Sequence, residues 1–553
     1  MFHSFRQKLS SPNTLTVMVL FFAHWLILLN DGVYYDGILV QSWRNLHPFS
    51  FLNQWFWDVG KPLLSLIYFP VLYFSNWIFI SKLVNFICLF FTSYLIRRIL
   101  EHSKLFSPRD ALAISLLALS YSGIQMAAEM AALQYYLLFP VYLFGFFLYQ
   151  ISFDKYKSAK LRLQIAGGVV CFAGFFTSSL LPLHYFFTAL LAYELKLKRN
   201  WNFTRLIFEL KYVLVLPVVF WITRGVLFPP NEIYKKYYFI DLNWQSIKDG
   251  YLSLINLPVM GEFLNSLSPY SSAFISVLSI VALTLLFYFL QDSSESSEKS
   301  KLSPFLILLS GIIVLLLGSF PYIAIRQYFD QFGWSTKNNV LVGTGMGLLL
   351  FGIIGLITLP KPLSKYRYSL MATFVVLFSL NANKNFVDLQ LGSIKHNAFI
   401  SEASKNSSFQ SGSLFELKDE FYIPRLPNLY YSHNIAYVFY LATNDLKRNG
   451  KILEKDETPK FVDPQEAHKI ISGHAPILAT PDVNVKGRQY YINIKRRDNR
   501  PESNIVYEYF KLKFLSPERL EKFYSNLMDI HIREILPTGL SIIENSGRNT
   551  TNN

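Results

Sequence analysis

The residues best placed to do chemistry in this chain stand where apolar runs end. Asp31 follows directly on the apolar run 14–30 and opens the stretch Asn30-Asp31-Gly32-Val33-Tyr34-Tyr35-Asp36, which continues through Trp43, Arg44, His47, Trp55, Trp57 and Asp58 to Lys61 and Pro62. A carboxylate held at a membrane surface sits in a reduced dielectric, where it can be tuned as a general base or hold a cation. The plainer alternative is ordinary loop polarity, with Trp and Tyr gathered as an interfacial belt. Glu129, in Gln125-Met126-Ala127-Ala128-Glu129-Met130, has no basic neighbour in sequence. An unpaired acid near lipid is costly and marks a functional candidate. Asp31 and Glu129 are also a pair that could share a divalent cation, although no ligand cluster of diagnostic spacing occurs and the metal stays open. His184 reads as a satisfied structural histidine and Arg224 as a snorkelling helix end. Lys495-Arg496-Arg497 reads as a solvated strand end, and the sequons at Asn406 and Asn549 are triplets common by chance.

The elements that must position these groups follow from composition. Of 553 residues, 52% are hydrophobic, 17% aromatic and 16% charged, against about 25% charged in soluble domains. That excludes a soluble or disordered chain, and two cysteines, Cys88 and Cys171, exclude a disulfide scaffold. The net charge is +15, of which the residues from 384 onward carry only +3. The remaining excess lies in short connections between apolar runs, which is the positive-inside signature; nucleic acid is thereby disfavoured as a partner.

Roughly 20 apolar helical residues cross a bilayer. The candidate spans are 14–30, 77–96, 110–126, 130–150, 163–178, 180–195, 212–229, 271–290, 304–324, 338–359 and 368–383. Basic clusters at Arg6/Lys8, Arg97–Arg109, Lys155–Arg162, Lys196–Lys211, Lys299/Lys301 and Lys361–Arg367 all face the cytoplasm if an even number of crossings separates neighbours. This parity makes 62–76 a short interfacial or re-entrant helix rather than a span. It predicts a multi-spanning α-helical membrane protein of about eleven transmembrane helices, with the N-terminus cytoplasmic and no cleavable signal peptide. Residues 1–383 are expected to form the membrane domain, with a first outer loop at 31–61, and residues 384–553 an extracytoplasmic α+β domain. Within the latter, Gln489–Arg496 and Asn504–Leu515 alternate as strands do, and Ser516–Ile530 starts as a helix does, with Pro517 in its first turn. Gln291–Lys301 reads as a polar connector. There is no internal repeat and no zinc, P-loop or dinucleotide fingerprint.

The acid after the first helix, the Tyr34-Tyr35 pair, the loop of about thirty residues and the Lys61-Pro62-Leu63-Leu64 that opens the next apolar helix resemble the GT-C glycosyltransferases. The protein O-mannosyltransferases and aminoarabinose transferases belong to that superfamily. Their segment commonly reads Asp-Glu-Ala-x-Tyr-Tyr/Ala and closes on Lys-Pro-Pro-Leu; here Gly32 replaces the second acid and Leu63 the second proline. The segment from Tyr73 through Lys82 to Arg97-Arg98 is similar to the family's second helix, which often has Arg where Lys82 stands.

The resemblance implies an integral-membrane enzyme of the bacterial inner membrane that moves a sugar from a polyprenyl-phosphate donor to an acceptor hydroxyl on a glycan, lipid or protein, in cell-envelope assembly. It implies Asp31 as the base, with Asp36 as a stand-in for the second acid, and Glu129 orienting the acceptor or binding a cation. Lys61 would meet the lipid phosphate, with Tyr34 and Tyr35 lining the site. Arg326 or Lys337 would fill the place of an Arg-Tyr element against the same phosphate. A headgroup contact by snorkelling is the alternative for Lys61. The rival functions are a polysaccharide or lipid transporter, an O-antigen polymerase or ligase, and a non-catalytic scaffold. Span centres that are largely apolar weigh against transport.

Overall fold

The computed structural model describes residues 11–267 and 300–536, apart from 47, 178, 331, 427–428, 431–434, 445–447, 455–456, 458 and 461–487. The span expected at 271–290, most of the connector Gln291–Lys301, the Arg6/Lys8 pair, His47 and the Asn549 sequon lie outside the described residues. The chain divides into two compact units: Met1–Asn30 with Phe56–Phe386, and Asp31–Trp55 with Val387–Asn553. Residues 31–55 of the first loop thus belong with the C-terminal part of the chain.

The first unit is a multi-helix membrane bundle. Five helices among the described residues are long and apolar enough to cross a bilayer: Trp77–Ser103, Met130–Ser152, Phe203–Leu227, Pro304–Ile323 and Arg367–Lys405. Trp334–Val340 and Val342–Ile357 make a sixth if their 57° bend lies within one crossing. Some expected spans are shorter or broken. The first is helix Pro12–His24 followed by one turn at Leu26–Leu29, and the third ends at Ser120 after 13 residues. Apolar composition continues past Ser120, but Ser122 and Gly123 favour a turn, and short 3-10 turns carry the chain through Gln125–Ala132. The segment inferred from charge parity is a short helix, Ser65–Tyr73, entered through a 3-10 turn at Pro62–Leu64. Nine residues rise about 14 Å, too little to cross. Glycines let the bundle close tightly: a Cβ on Gly347 would stand 2.7 Å from the carbonyl oxygen of Ile114.

In the second unit, a four-stranded sheet has the order β2-β1-β3-β4, with β1 Gly412–Asp419, β2 Asn449–Ile452, β3 Arg488–Arg496 and β4 Met528–Ile535. β1 pairs in parallel with β2 and β3, and β3 pairs antiparallel with β4, Ile492 opposite Ile532. Phe399, Phe409, Phe415, Phe439 and Tyr490 pack as one aromatic core, the Phe415 and Phe439 ring centres 4.5 Å apart.

Three elements differ from expectation. The segment expected as a strand at 504–515 is the helix Glu502–Leu515. Its buried residues Ile505, Val506 and Tyr509 follow the helical period, and Pro501 and Glu502 open it as helix starts do. The helix expected over 516–530 is a 3-10 turn and a helix at Leu520–Leu527, after which the alternating Met528–Ile535 joins the sheet. Helix Arg367–Lys405 does not stop at 383 but runs for 39 residues, about 58 Å. It has no proline, and its first glycine is Gly392.

Candidate active site

Asp31 lies in the second unit, and the side chains that hydrogen-bond its carboxylate come from two helices. On one side, Arg367–Lys405 supplies Gln390, whose Nε2 donates to Oδ1 at 2.7 Å, and Ser393, whose Oγ donates to the same oxygen at 3.2 Å. The Asp31 backbone N–H also donates to Gln390 Oε1 at 3.3 Å. On the other side, Glu502–Leu515 supplies Lys513, whose Nζ stands 2.5 Å from Oδ2, and Tyr509, whose hydroxyl donates to Oδ2 as well. Tyr509 and Lys513 are four residues apart on one helical face. Burial pushes the Asp31 carboxyl up, but the Lys513 ammonium and the hydrogen bonds from Lys513, Tyr509 and Gln390 outweigh it, and the group sits below its usual value. Burial and the Asp31 charge together push the Tyr509 phenol well up, keeping it a donor.

Tyr34 is fully buried, and its hydroxyl donates to the Leu389 carbonyl at 2.7 Å. Tyr35, equally buried, holds a left-handed backbone with φ 48°, a conformation uncommon for a bulky residue. Both fix the chain that follows Asp31 rather than line an open surface. Asp36 is the first residue of helix Asp36–Leu46, where a carboxylate meets the positive end of the helix dipole. Trp43 is 1% exposed, packed against Phe51, Trp55 and Tyr437 in the unit's own core rather than in an interfacial belt. Gly32 leaves no space for a side chain, since a Cβ there would fall 2.5 Å from Ser393 Cβ and against the Tyr34 hydroxyl. A second acid next to Asp31 has no room in this packing.

In the first unit, Lys61 heads the turn into Pro62–Leu64. It is half-buried, and burial together with the neighbouring charges of Arg224 and Lys337 pushes its ammonium down to about 7. Arg224 is fixed beside it, Nε donating to the Gly60 carbonyl at 3.2 Å and a terminal nitrogen to that of Val59 at 3.4 Å. Gly60 has φ 73°, and a Cβ would meet the Phe228 carbonyl at 2.6 Å, so this close approach requires glycine. Lys337 stands over the Trp334 ring at 4.0 Å. Arg224 and Lys61 are thus held side by side, and the charges of Arg224 and Lys337 both act to lower Lys61. An anionic group placed there would favour the charged form of Lys61.

The other candidates divide. Glu129 is fully buried and its Oε1 accepts from the Ala131 backbone N–H at 2.9 Å, capping the turn Met130–Ala132, while Asn85 donates to its carbonyl. It belongs to the first unit and Asp31 to the second. Arg326 is paired with Asp241 at 2.5 Å and 62% exposed. His184 is satisfied by Val213 and Tyr142, and Lys495, Arg496 and Arg497 are paired with Glu420, Glu502 and Asp529. Lys82, buried, donates to the backbone carbonyl of Asn30 at 2.9 Å and to its side chain, fixing the end of the first helix. No group of three or more His, Cys, Asp or Glu able to hold a metal occurs among the described residues.

Tyr509 and Lys513 were not among the candidates read from the sequence, and Arg224 was read there only as a helix end. Arg224 carried a signal, a cation at a helix end, that was ascribed to snorkelling. Tyr509 and Lys513 carried only their spacing, which shares a face in a helix and in a strand alike.

No protein-family profile matches the chain, and no curated protein matches it in sequence. A solved structure similar to it is that of ArnT from Cupriavidus metallidurans bound to undecaprenyl phosphate: 12% identity, with 91% of this chain and 94% of that chain covered, at a TM-score of 0.34.

Proposed function

We propose that the chain is an integral-membrane glycosyltransferase that uses a polyprenyl-phosphate sugar at the outer face of the membrane. The observation that carries this reading is the placing of Arg224 on the Val59 and Gly60 carbonyls directly beside Lys61, two fixed cations that can receive an anionic group. A lipid phosphate supplies that charge, and it gains charge further as the glycosidic bond breaks, so fixed cations favour the transition state over the bound donor. Asp31, outside an apolar helix end and held ionised by its surroundings, is the base. It takes the proton from the acceptor hydroxyl as that oxygen bonds to the anomeric carbon. The carbon–oxygen bond to the phosphate breaks, and the polyprenyl phosphate leaves with the electron pair. Attack opposite the leaving group inverts the anomeric centre. The topology that accompanies the reading is eleven crossings, cytoplasmic N-terminus and extracytoplasmic tail, in the inner membrane of a bacterium.

The test uses the full chain in lipid nanodiscs with a panel of farnesyl-phosphate monosaccharides, and reads farnesyl phosphate released with water or simple alcohols as acceptor. Asp31→Asn is expected to lower turnover at least a hundredfold, general-base removal costing about 10²–10⁴, while expression and melting temperature hold. Turnover by Asp31→Asn at the wild-type rate would remove Asp31 as the base. No turnover of any panel member by the wild type would remove the glycosyltransferase reading.

A further inference from the structure

The Asp31 carboxylate is saturated. An ionised carboxylate offers about four acceptor positions on two oxygens, and here Gln390 and Ser393 take Oδ1 while Tyr509 and Lys513 take Oδ2. A base whose lone pairs are all engaged cannot receive a proton from a substrate hydroxyl until one donor leaves. The two sides differ at Lys513 and in the helix that carries it; Tyr509, 2% exposed, is as buried as the Oδ1 pair and moves only with that helix. Gln390 and Ser393 are each 2% exposed in the interior of a 39-residue helix, and Gln390 also receives the Asp31 backbone N–H. Lys513 has a side chain 34% exposed, two residues from the end of a 14-residue helix. The same helix leaves Tyr507, Phe514 and Leu515 at 72%, 66% and 74% exposed, so less apolar packing holds it in place.

Resting on the proposed function above, we infer that Lys513 and Tyr509 form a latch on Asp31, occupying at Oδ2 the position of the acceptor hydroxyl, and that the helix Glu502–Leu515 must withdraw them before proton transfer. The Oδ1 side stays made throughout and orients the carboxylate. In the latched state the acceptor proton has no free oxygen to go to. In the open state it goes to Oδ2, and the acceptor oxygen bonds to the anomeric carbon as the phosphate departs. The latch keeps a reactive carboxylate covered until an acceptor competes for it, which limits loss of donor to water. Among the described residues of this unit, the charged and titratable groups facing Asp31 are Lys513 and Tyr509 from one helix and Tyr524 from Leu520–Leu527, with neutral Gln390 and Ser393 from the third.

The experiment compares wild type, Lys513→Met, Lys513→Arg and Tyr509→Phe in nanodiscs, with the farnesyl-phosphate monosaccharides and water as acceptor. Lys513→Met is expected to raise kcat/KM for donor hydrolysis about tenfold, from loss of one charge-assisted bond that opening must break. Its acid limb is expected to move up in pH, because the carboxylate loses the ammonium that holds its value down. Lys513→Arg, which keeps the charge, holds the acid limb where the wild type has it. Tyr509→Phe, which removes one hydroxyl and leaves the ring in place, is expected to raise hydrolysis in the same direction. Carbodiimide treatment of the wild type is expected to join Asp31 to Lys513 by an amide, seen as one linked peptide by mass spectrometry and absent from Lys513→Arg.

Three results overturn the latch while leaving Asp31 as the base. These are a Lys513→Met rate at or below wild type with an unmoved acid limb, slower hydrolysis in Tyr509→Phe, and no Asp31–Lys513 linkage in the wild type. Full turnover by Asp31→Asn overturns the base instead, so the two failures are told apart.

Discussion

Replacing Lys61 by methionine tests the Lys61–Arg224 pair most directly, because the structure leaves its neighbours in place. Arg224 remains tied to the Val59 and Gly60 carbonyls, and Lys337 remains over the Trp334 ring. The variant therefore loses one charge-assisted contact to a bound phosphate and keeps the other two cations. A hydrogen bond to a charged group contributes about 1.5–3 kcal/mol, so the affinity for farnesyl phosphate is expected to fall roughly ten- to a hundredfold. Titration calorimetry on the full chain in nanodiscs measures it. The pH dependence carries a second, independent signature. Burial, Arg224 and Lys337 push Lys61 down to about 7 in the unliganded protein, and a bound anion favours its charged form. Binding to the wild type thus weakens as pH rises above about 7 and takes up a proton there, seen as a buffer-dependent enthalpy; Lys61→Met shows neither.

Stability moves in the direction opposite to affinity. The folded value of about 7 lies below the ordinary 10.5 of lysine, so between these values the unfolded chain binds the extra proton and wild-type stability rises with pH. The penalty is complete below about pH 7 and fades toward 10.5. Lys61→Met is expected to melt higher than wild type at pH 6, with the gap closing by pH 10. The reasoning is refuted if Lys61→Met binds farnesyl phosphate within threefold of wild type at pH 7. It is refuted equally if the melting gap between the two widens as pH rises.

Two further substitutions probe the packing that supports these groups. Gly32→Ala places a methyl 2.5 Å from Ser393 Cβ, displacing the chain beside Asp31; overpacking of this kind costs about 1–3 kcal/mol, and donor turnover is expected to fall while the Lys61 affinity for farnesyl phosphate is unchanged. Wild-type turnover by Gly32→Ala would show that the segment yields freely. Glu262→Ala removes the carboxylate that accepts from Ser122 and Asn381, each at 2.6 Å, in the buried interior of the first unit; losing these buried bonds to a charged acceptor costs about 1.5–3 kcal/mol. The melting temperature in detergent is expected to drop, and Glu262→Gln, which keeps an acceptor, to recover most of the loss.

Legibility in the sequence follows which interactions are local. Charge parity located the short helix Ser65–Tyr73 because the placing of Lys and Arg in short connections is set by the membrane, not by distant residues. Alternation located β3 because that strand is half-buried between two sheet neighbours. The same rule failed at Glu502–Leu515, where Tyr, Phe and Leu alternate with Glu and Lys yet Ile505, Val506 and Tyr509 are the buried set. Hydropathy ended the helix Arg367–Lys405 at 383 because hydropathy reports lipid contact, whereas backbone helicity persists until something breaks it.

The site shows the same division. Asp31 was visible as a lone acid at a helix end, but the groups that decide its state, Tyr509 and Lys513, are separated from it by 478 and 482 positions. No local pattern links residues so far apart. A carboxylate read in isolation is a free base; with an ammonium and a phenol on one oxygen and an amide and a hydroxyl on the other, the proposed latch makes it a base only when a helix lets go. The acid's identity was therefore written locally, while its availability is a property of the tertiary fold, and the Lys513 variants separate the two.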